Sequence, residues 1–600
     1  MDNDFLPHYI RRPTPPAPPA PHYIRTPPPP SRHIIPSSES LLPSFIRARM
    51  PPRGSRSIVD FDYTLFGSAS FMTPQEAIDL NLNQAGNGRT ACPAIGSLRK
   101  TNTSDPTFHL FARRPSSRTK VLAEVNGHIL TDAPTRAGKG TSQIIPTLLT
   151  WQGSAFVIDI KGENYYRTAG CRAKKRGQQV YRFAPFEQTS HTLNPLMSIR
   201  ANLDGNPTWK ERCEEEEDTR YLVDLLITKS ESVDSFFWEN VIIPFLVGLL
   251  LHIRTAALLE LKNVKDADKP EFKHHVRERS MREMRRLLTS DEDTFSSVLE
   301  DMAESSRKLV QEAGTNLKQC LASDGRLTQS ILTTVIVQTQ VWSYERLHGV
   351  TYKASENGEP APNDFSFSQL RDGNTTIYLI IPPENLTEYQ SVLRVMTGLA
   401  LRESKDSYLV SKKKPEYQDN PPILFILDEF PQLGYMQPIE DALSYIAGYG
   451  VRFWFFIQDI SQLKRHYQKS WTSFFSNTDI KCFFGVNDIE TAKLVSEMIG
   501  VTTVRQHSES IGSSESHSNG YAEGFLTNQN ETFSSNTSRT GSFAPARLMT
   551  ADEVLRMREN EQIVFINGTK PIFCYLAKYY ESPDLEADSK ILPPEEIDFH

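Results

Sequence analysis

Cysteine is scarce in this sequence: six in 600 residues, at Cys92, Cys171, Cys213, Cys320, Cys482 and Cys574. None forms a C-x-x-C pair and no histidine clusters at ligand spacing. A disulfide scaffold and a zinc site are therefore set aside in favour of reduced thiols in a cytosolic protein. An excess of one charge is also missing, since 66 Lys and Arg stand against 73 Asp and Glu for a net of −7. There is no global basic signature of nucleic-acid binding, so any DNA contact must be a local patch or a pore formed on assembly. A long hydrophobic run is absent too. The longest apolar stretch, Phe236–Ile253, contains Glu239, Asn240 and His252 and lies mid-chain. It reads as a buried core helix kinked at Pro244, and no transmembrane helix or signal peptide is expected.

Proline is plentiful but unevenly placed. Residues 1–53 hold 15 of the 40 prolines, repeat PHYIR at Pro7–Arg11 and Pro21–Arg25, and carry a net charge of +4. Such a segment cannot bury enough apolar surface to fold, and it is expected to be a disordered, partly polyproline arm. The duplicated PHYIR is a candidate docking motif for a partner or an anionic membrane; a solubilising linker is the plainer reading. Residues 54–118 form a lead-in with a helix at Pro74–Leu82 and a strand at Thr107–Phe111, and a further strand at Val121–Glu124 leads into the core. No chemistry is assigned there.

The stretch Asn126–Leu149, NGHILTDAPTRAGKGTSQIIPTLL, has a short apolar run, a small-residue loop and then a helical apolar period. That is the layout of a phosphate-binding loop between strand and helix. Its loop amides and helix N-terminus would cradle the phosphates of ATP across Ala133, Pro134, Thr135, Arg136, Ala137, Gly138, Lys139, Gly140 and Thr141, with Lys139 reaching the β/γ oxygens. Against G-x-x-x-x-G-K-[ST], Ala133 replaces the first Gly and Gly140 replaces the hydroxyl residue. Thr141, one residue late, is then the nearest candidate for a Mg²⁺ ligand.

A second block, Pro421–Met436 (PPILFILDEFPQLGYM), has an apolar run that suits a buried parallel strand and ends in Asp428 and Glu429. In a nucleotide-hydrolysing site the first acid organises Mg²⁺ and the second polarises the attacking water as general base. Ala155–Ile160 (AFVIDI) is another such strand, followed by Lys161 and Glu163.

Six blocks in order, APTRAGKG, VIDIKGENYYRTAG, LNPL, SFFWEN, LFILDEFPQLGYM and FFIQDISQL, resemble the TraG-type family of type IV coupling proteins over roughly Val121–Leu576. The resemblance implies a RecA-like P-loop α/β fold with a mostly parallel sheet and an inserted all-α domain. It implies an ATP- and Mg²⁺-dependent homo-hexamer that passes single-stranded DNA with its relaxase, or a protein, to type IV secretion channel components. It also places Asp159, Lys161 and Glu163 near the nucleotide, although a helix N-terminal turn explains them about as well. Gln458, delivered by strand Val451–Ile457, resembles the family's γ-phosphate sensor. Arg452, opening that strand, is the candidate arginine finger, with Arg465 and Arg394 as rivals. Family members usually begin with membrane helices; with none expected here, the chain is read as cytoplasmic and peripheral at the inner membrane.

The expected divisions are a first core part at 119–200, an all-α insertion at 201–345, a second core part at 346–580 with a flexible insertion at 508–542, and an acidic tail at 581–600. Helices are expected at Arg212–Thr228, Phe236–Leu261, Lys273–Leu288, Thr294–Leu321 and Leu327–Val341. The run His274–Arg286 (HHVRERSMREMRR) is the best local candidate for DNA or an acidic partner, beside the commoner explanation of a solvated helix face. Two other functions fit less well: a double-stranded DNA translocase of the FtsK/HerA type, and a non-hydrolysing adaptor on a degenerate nucleotide fold.

Overall fold

A computed structural model describes residues 69–72, 94–100, 108–109, 118–122, 127–203, 207–228, 238–256, 276–323, 325–355, 360–411, 420–522 and 525–594. The arm 1–53 with both PHYIR copies and the helix expected at Pro74–Leu82 lie outside the described residues. Among the described residues no helix is long and apolar enough to cross a membrane.

One twelve-stranded sheet organises the chain. Seven adjacent strands run parallel in the order β10-β4-β9-β8-β5-β7-β6: Thr478–Phe483, His128–Asp132, Val451–Ile457, Ile423–Leu427, Ala155–Asp159, Thr375–Ile380 and Gln179–Phe183. Their central members are buried along their whole length, as near-continuous apolar runs covered on both faces should be. Leu130, Phe156, Phe425 and Phe455 pack toward one face, and Ile129, Val157, Ile426 and Trp454 toward the other.

Antiparallel strands extend one edge: β13 (Glu561–Ile566), β14 (Ile572–Tyr575), β1 (Ala94–Lys100), β2 (Phe108–His109) and β3 (Arg118–Leu122). The core therefore reaches back past the expected start at 119, because β1 pairs with β14 and so joins the lead-in to the sheet. Sequence gave no sign of this, since β1 (AIGSLRK) lacks an apolar alternation.

The insertion is helical as expected, with different bounds. Trp209–Leu226 begins at a Thr208–Glu211 capping box. Pro244 does not kink a helix interior. It stands in the first turn of Ile243–Thr255, behind a π-helical turn at Trp238–Ile242, where its missing N–H is no loss. The single helix expected at Thr294–Leu321 is two, Glu292–Ala303 and Lys308–Ser323. Between them Arg307 turns inward to Glu215 and the Asn202 carbonyl. Leu222, Leu249 and Leu250 share one hydrophobic core with Leu130 and Phe425 of the sheet, so the insertion is built onto the sheet's first face.

Four arginines of the basic run are paired within this layer or at its surface. Arg285 is buried and donates to the Ile336 carbonyl and Thr339, Arg279 reaches the Ala256 carbonyl, Arg286 pairs with Glu283 at 2.7 Å and Arg282 with Glu345 at 2.8 Å. His274 and His275 lie outside the described residues.

Two further expectations are corrected. The segment read as a flexible insertion, 508–542, lies within a long antiparallel ribbon, β11 (Val501–Ala522) against β12 (Phe525–Arg547). Its root is fixed by Ala69 N donating to Val501 O and Leu548 N to Gly500 O, both at 3.1 Å. The acidic tail is not loose through 594: helix Pro583–Ser589 buries Leu585 beside Ile145 and Leu149, and Lys175 pairs with Asp588 at 2.5 Å.

Candidate active site

The carboxyl ends of β4, β5, β8 and β9 converge on the loop Ala133–Lys139, which is where parallel sheets place ligands. Ala133 N donates to Ile457 O at 3.0 Å, so the first loop residue is stitched to the strand that delivers Gln458. The left-handed positions of the loop are Arg136 (φ 64°) and Gly138 (φ 99°). Ala133 is not among them, so its replacement of glycine carries no backbone strain. After Lys139 the chain makes a π-helical turn, Gly140–Ile144, before the α-helix Ile145–Thr150. Arg172, fully buried, holds that helix's end by donating to Leu148 O at 2.7 Å and Trp151 O at 3.0 Å.

Lys139 is 8 % exposed; its Nζ donates to Ala133 O at 3.0 Å and lies 3.4 Å from Glu429 Oε1. Gln458 Nε2 donates to the other oxygen, Glu429 Oε2, at 2.7 Å. Glu429 is held in the left-handed region (φ 56°), a conformation that costs a non-glycine residue roughly 1–2 kcal/mol and here aims its carboxylate at the loop. Three residues from three motifs thus meet at the mouth of the loop.

Asp428 is half-buried at the end of β8, and desolvation, reinforced by the neighbouring Glu429, raises its pKa to about 6 although Lys139 and Lys161 pull it down. Asp159 ends β5 and accepts from Tyr165 N at 2.8 Å and Asn164 Nδ2 at 3.2 Å; burial chiefly, with Asp428 contributing, lifts it to about 7. Glu163 opens the helix Glu163–Gly170 in its first turn, as the plainer reading had it. A carboxyl at this position, Asp428 beside the phosphate loop, suits a magnesium ion, which takes one or two carboxylates and completes its shell with phosphates and water. Thr141 Oγ1 donates to Gly138 O at 3.2 Å, so its hydroxyl lies against the loop.

The arginine candidates separate. Arg452 stands at the opposite end of β9, about 20 Å from Gln458 at the rise of a strand, and donates to the carbonyls of Ala447 and Val451. The structure does not bring it to the phosphate loop. Arg394 is buried and donates to Leu225 O. Arg465 alone of the three is exposed, on the helix Ile460–Tyr467 that follows Gln458.

Sequence reading missed Asp132. It ends β4 directly before the loop and is fully buried. Burial raises its pKa well above the ordinary value, with Asp488 and Asp459 adding to this and Lys139 and Thr491 opposing it. The signal was present: HILTD, AFVID and LFILD all end an apolar run in aspartate, and only the last two were used.

The family described as type IV secretory system conjugative DNA transfer matches residues 93–593. Conjugal transfer protein TraG of Escherichia coli is 26% identical over 501 residues, covering 78% of this chain and 70% of TraG. Protein VirD4 of Agrobacterium fabrum is 28% identical over 461 residues, covering 76% of this chain and 58% of VirD4. Among solved structures, the trigonal form of the bacterial conjugative coupling protein TrwBdeltaN70 in complex with sulphate aligns with a TM-score of 0.52 at 12% identity, over 85% of this chain and 93% of that one. At that identity the likeness speaks for the fold, an α/β P-loop architecture.

Proposed function

The chain belongs to the type IV secretory system conjugative DNA transfer family of coupling proteins, and from that premise we propose that it is an ATP-hydrolysing motor of such a system. The observation that carries hydrolysis is the chain of contacts Gln458–Glu429–Lys139 at the mouth of the phosphate loop.

The roles follow from position. Loop amides and Lys139 balance the charge that spreads over the γ-phosphoryl oxygens. Glu429, with one oxygen held by Gln458, takes the proton of the attacking water, and Gln458 reports the presence of the γ-phosphate through that same bond. Asp428 and Thr141 would hold magnesium, which supplies positive charge across the phosphate oxygens. Because Arg452 and Arg394 are committed to backbone carbonyls, we assign the arginine acting on a neighbouring copy's nucleotide to Arg465. The cargo of this motor is single-stranded DNA carrying a relaxase, or a protein, handed to the channel by a homo-hexamer peripheral at the inner membrane.

Steady-state ATP turnover with and without single-stranded DNA, beside Lys139→Ala and Glu429→Gln, tests the reading. DNA-stimulated turnover lost in both variants supports it. Nucleotide binding without turnover at any protein concentration overturns hydrolysis.

A further inference from the structure

Gly140 stands directly after Lys139, where a phosphate loop carries the hydroxyl that meets magnesium. The next two hydroxyls, Thr141 Oγ1 and Ser142 Oγ, both donate to Gly138 O, at 3.2 and 2.7 Å. Gly140 is outside the left-handed region, and beyond its own turn a Cβ built on it meets one atom within 4 Å among the described residues. That atom is Asn164 Oδ1, at 3.8 Å. A side chain leaving position 140 would therefore reach toward this amide oxygen.

Asn164 is the second residue of the helix Glu163–Gly170 and is 4 % exposed. Its amide is aimed from behind: Nδ2 donates to Asp159 Oδ1 at 3.2 Å, and Asp159 Oδ2 accepts from Tyr165 N at 2.8 Å. Thr168 Oγ1 donates to the Asn164 carbonyl at 2.6 Å. The side-chain nitrogen is thus engaged, whereas nothing among the described residues donates to Oδ1. A buried amide oxygen without a donor is a cost to the fold that a bound cation, or a water in its shell, removes. Asp159 ends β5 beside β8, and Asp428 follows β8, so the amide, the loop and that carboxylate share one end of the sheet.

We propose that Asn164 Oδ1 takes the place of the hydroxyl that position 140 lacks, and holds magnesium beside Asp428 and Thr141, directly or through a water of the ion's shell. An amide carbonyl is a hard, neutral oxygen of the kind magnesium accepts. Asp159 is then a positioning residue: by accepting from Nδ2 it keeps the oxygen of the amide turned toward Gly140. This role rests on the reading of the loop as a site for ATP with magnesium.

Magnesium titration of the full chain, read by the fluorescence of a mant-labelled, non-hydrolysable ATP analogue, tests it without recourse to turnover. In Asn164→Ala the half-saturating magnesium concentration is expected to rise about 10–100-fold, while binding of the analogue in EDTA stays as in the parent. Gly140→Ser places a hydroxyl at the position in question, in a backbone conformation that accepts it. In the Asn164→Ala background that change is expected to recover most of the loss, which a merely structural role for Asn164 would not allow. An unaltered magnesium dependence in Asn164→Ala overturns the proposal and leaves nucleotide binding standing. A loss in EDTA as large as that in magnesium, or a loss that Gly140→Ser fails to recover, overturns it too. A parent chain that binds no nucleotide, with or without magnesium, overturns the underlying reading of the loop as well.

Discussion

Gln458 Nε2 donates to Glu429 Oε2 across 2.7 Å, while the other oxygen of that carboxylate lies 3.4 Å from Lys139 Nζ. One side chain is therefore held from two sides, by the strand β9 and by the phosphate loop. Glu429→Gln keeps the shape and removes the proton acceptor, so kcat should fall by about 10²–10⁴ with little change in KM. Gln458→Ala leaves the base but frees its orientation, and a smaller loss, about tenfold, is expected in the same assay. An unchanged kcat in Glu429→Gln would remove the general base from this position.

Asp159 gives stability an unusual pH dependence. Its folded pKa of about 7 stands above the ordinary 3.8, because burial disfavours the charged form. Its contribution is complete below about pH 4 and is lost as pH rises toward 7. Asp159→Asn should therefore be more stable than the parent at pH 8, by about 2–4 kcal/mol in the absence of nucleotide, with the difference gone near pH 4. Denaturant titrations at the two pH values measure it. Turnover should fall in the same variant.

His128 pulls the other way. Phe453 N donates to its Nδ1 at 3.1 Å and its Nε2 meets Leu443 O at 3.1 Å, so the fold holds the neutral ring with the proton on Nε2. Burial lowers its pKa from 6.5 to about 4. Its contribution is present above pH 6.5 and lost as pH falls toward 4, by about 3 kcal/mol. His128→Gln should flatten that part of the stability profile, read as the difference between variant and parent.

Gly170 lies under the C-terminal segment. A Cβ there would stand 2.0 Å from Ile591 O and 2.3 Å from Leu592 O, both backbone atoms. Gly170→Ala should lift this segment off the helices it covers. Amide exchange across 583–594 should rise while that of β5 and β8 stays unchanged.

The end of the sheet that carries the phosphate loop was legible because its strands are apolar runs closed by an acid or a glycine-rich loop, and both marks survive in one dimension. Lys139, Asp428 and Glu429 are read that way, and Gln458 from the family resemblance. What the sequence hid depended on partners distant along the chain. Arg452 looked available and is spent on the carbonyls of Ala447 and Val451; β1 has no apolar alternation and is a strand because β2, β3 and β14 pair with it. The ribbon's sequence has no apolar period, and its order lies in which residue stands opposite which.

The shared core beneath the insertion has a consequence for dissecting this chain. Leu222, Leu249, Leu250 and Met284 are buried in the same cluster as Phe156, Phe425 and Phe453 of the sheet. Expressed as a fragment, residues 201–345 would present that leucine-rich face to water and precipitate or swap partners. The sheet without them would do the same from its own side. Truncation is therefore the wrong instrument for assigning cargo recognition to the helices; point changes on their outer surface, in the intact chain, are the right one.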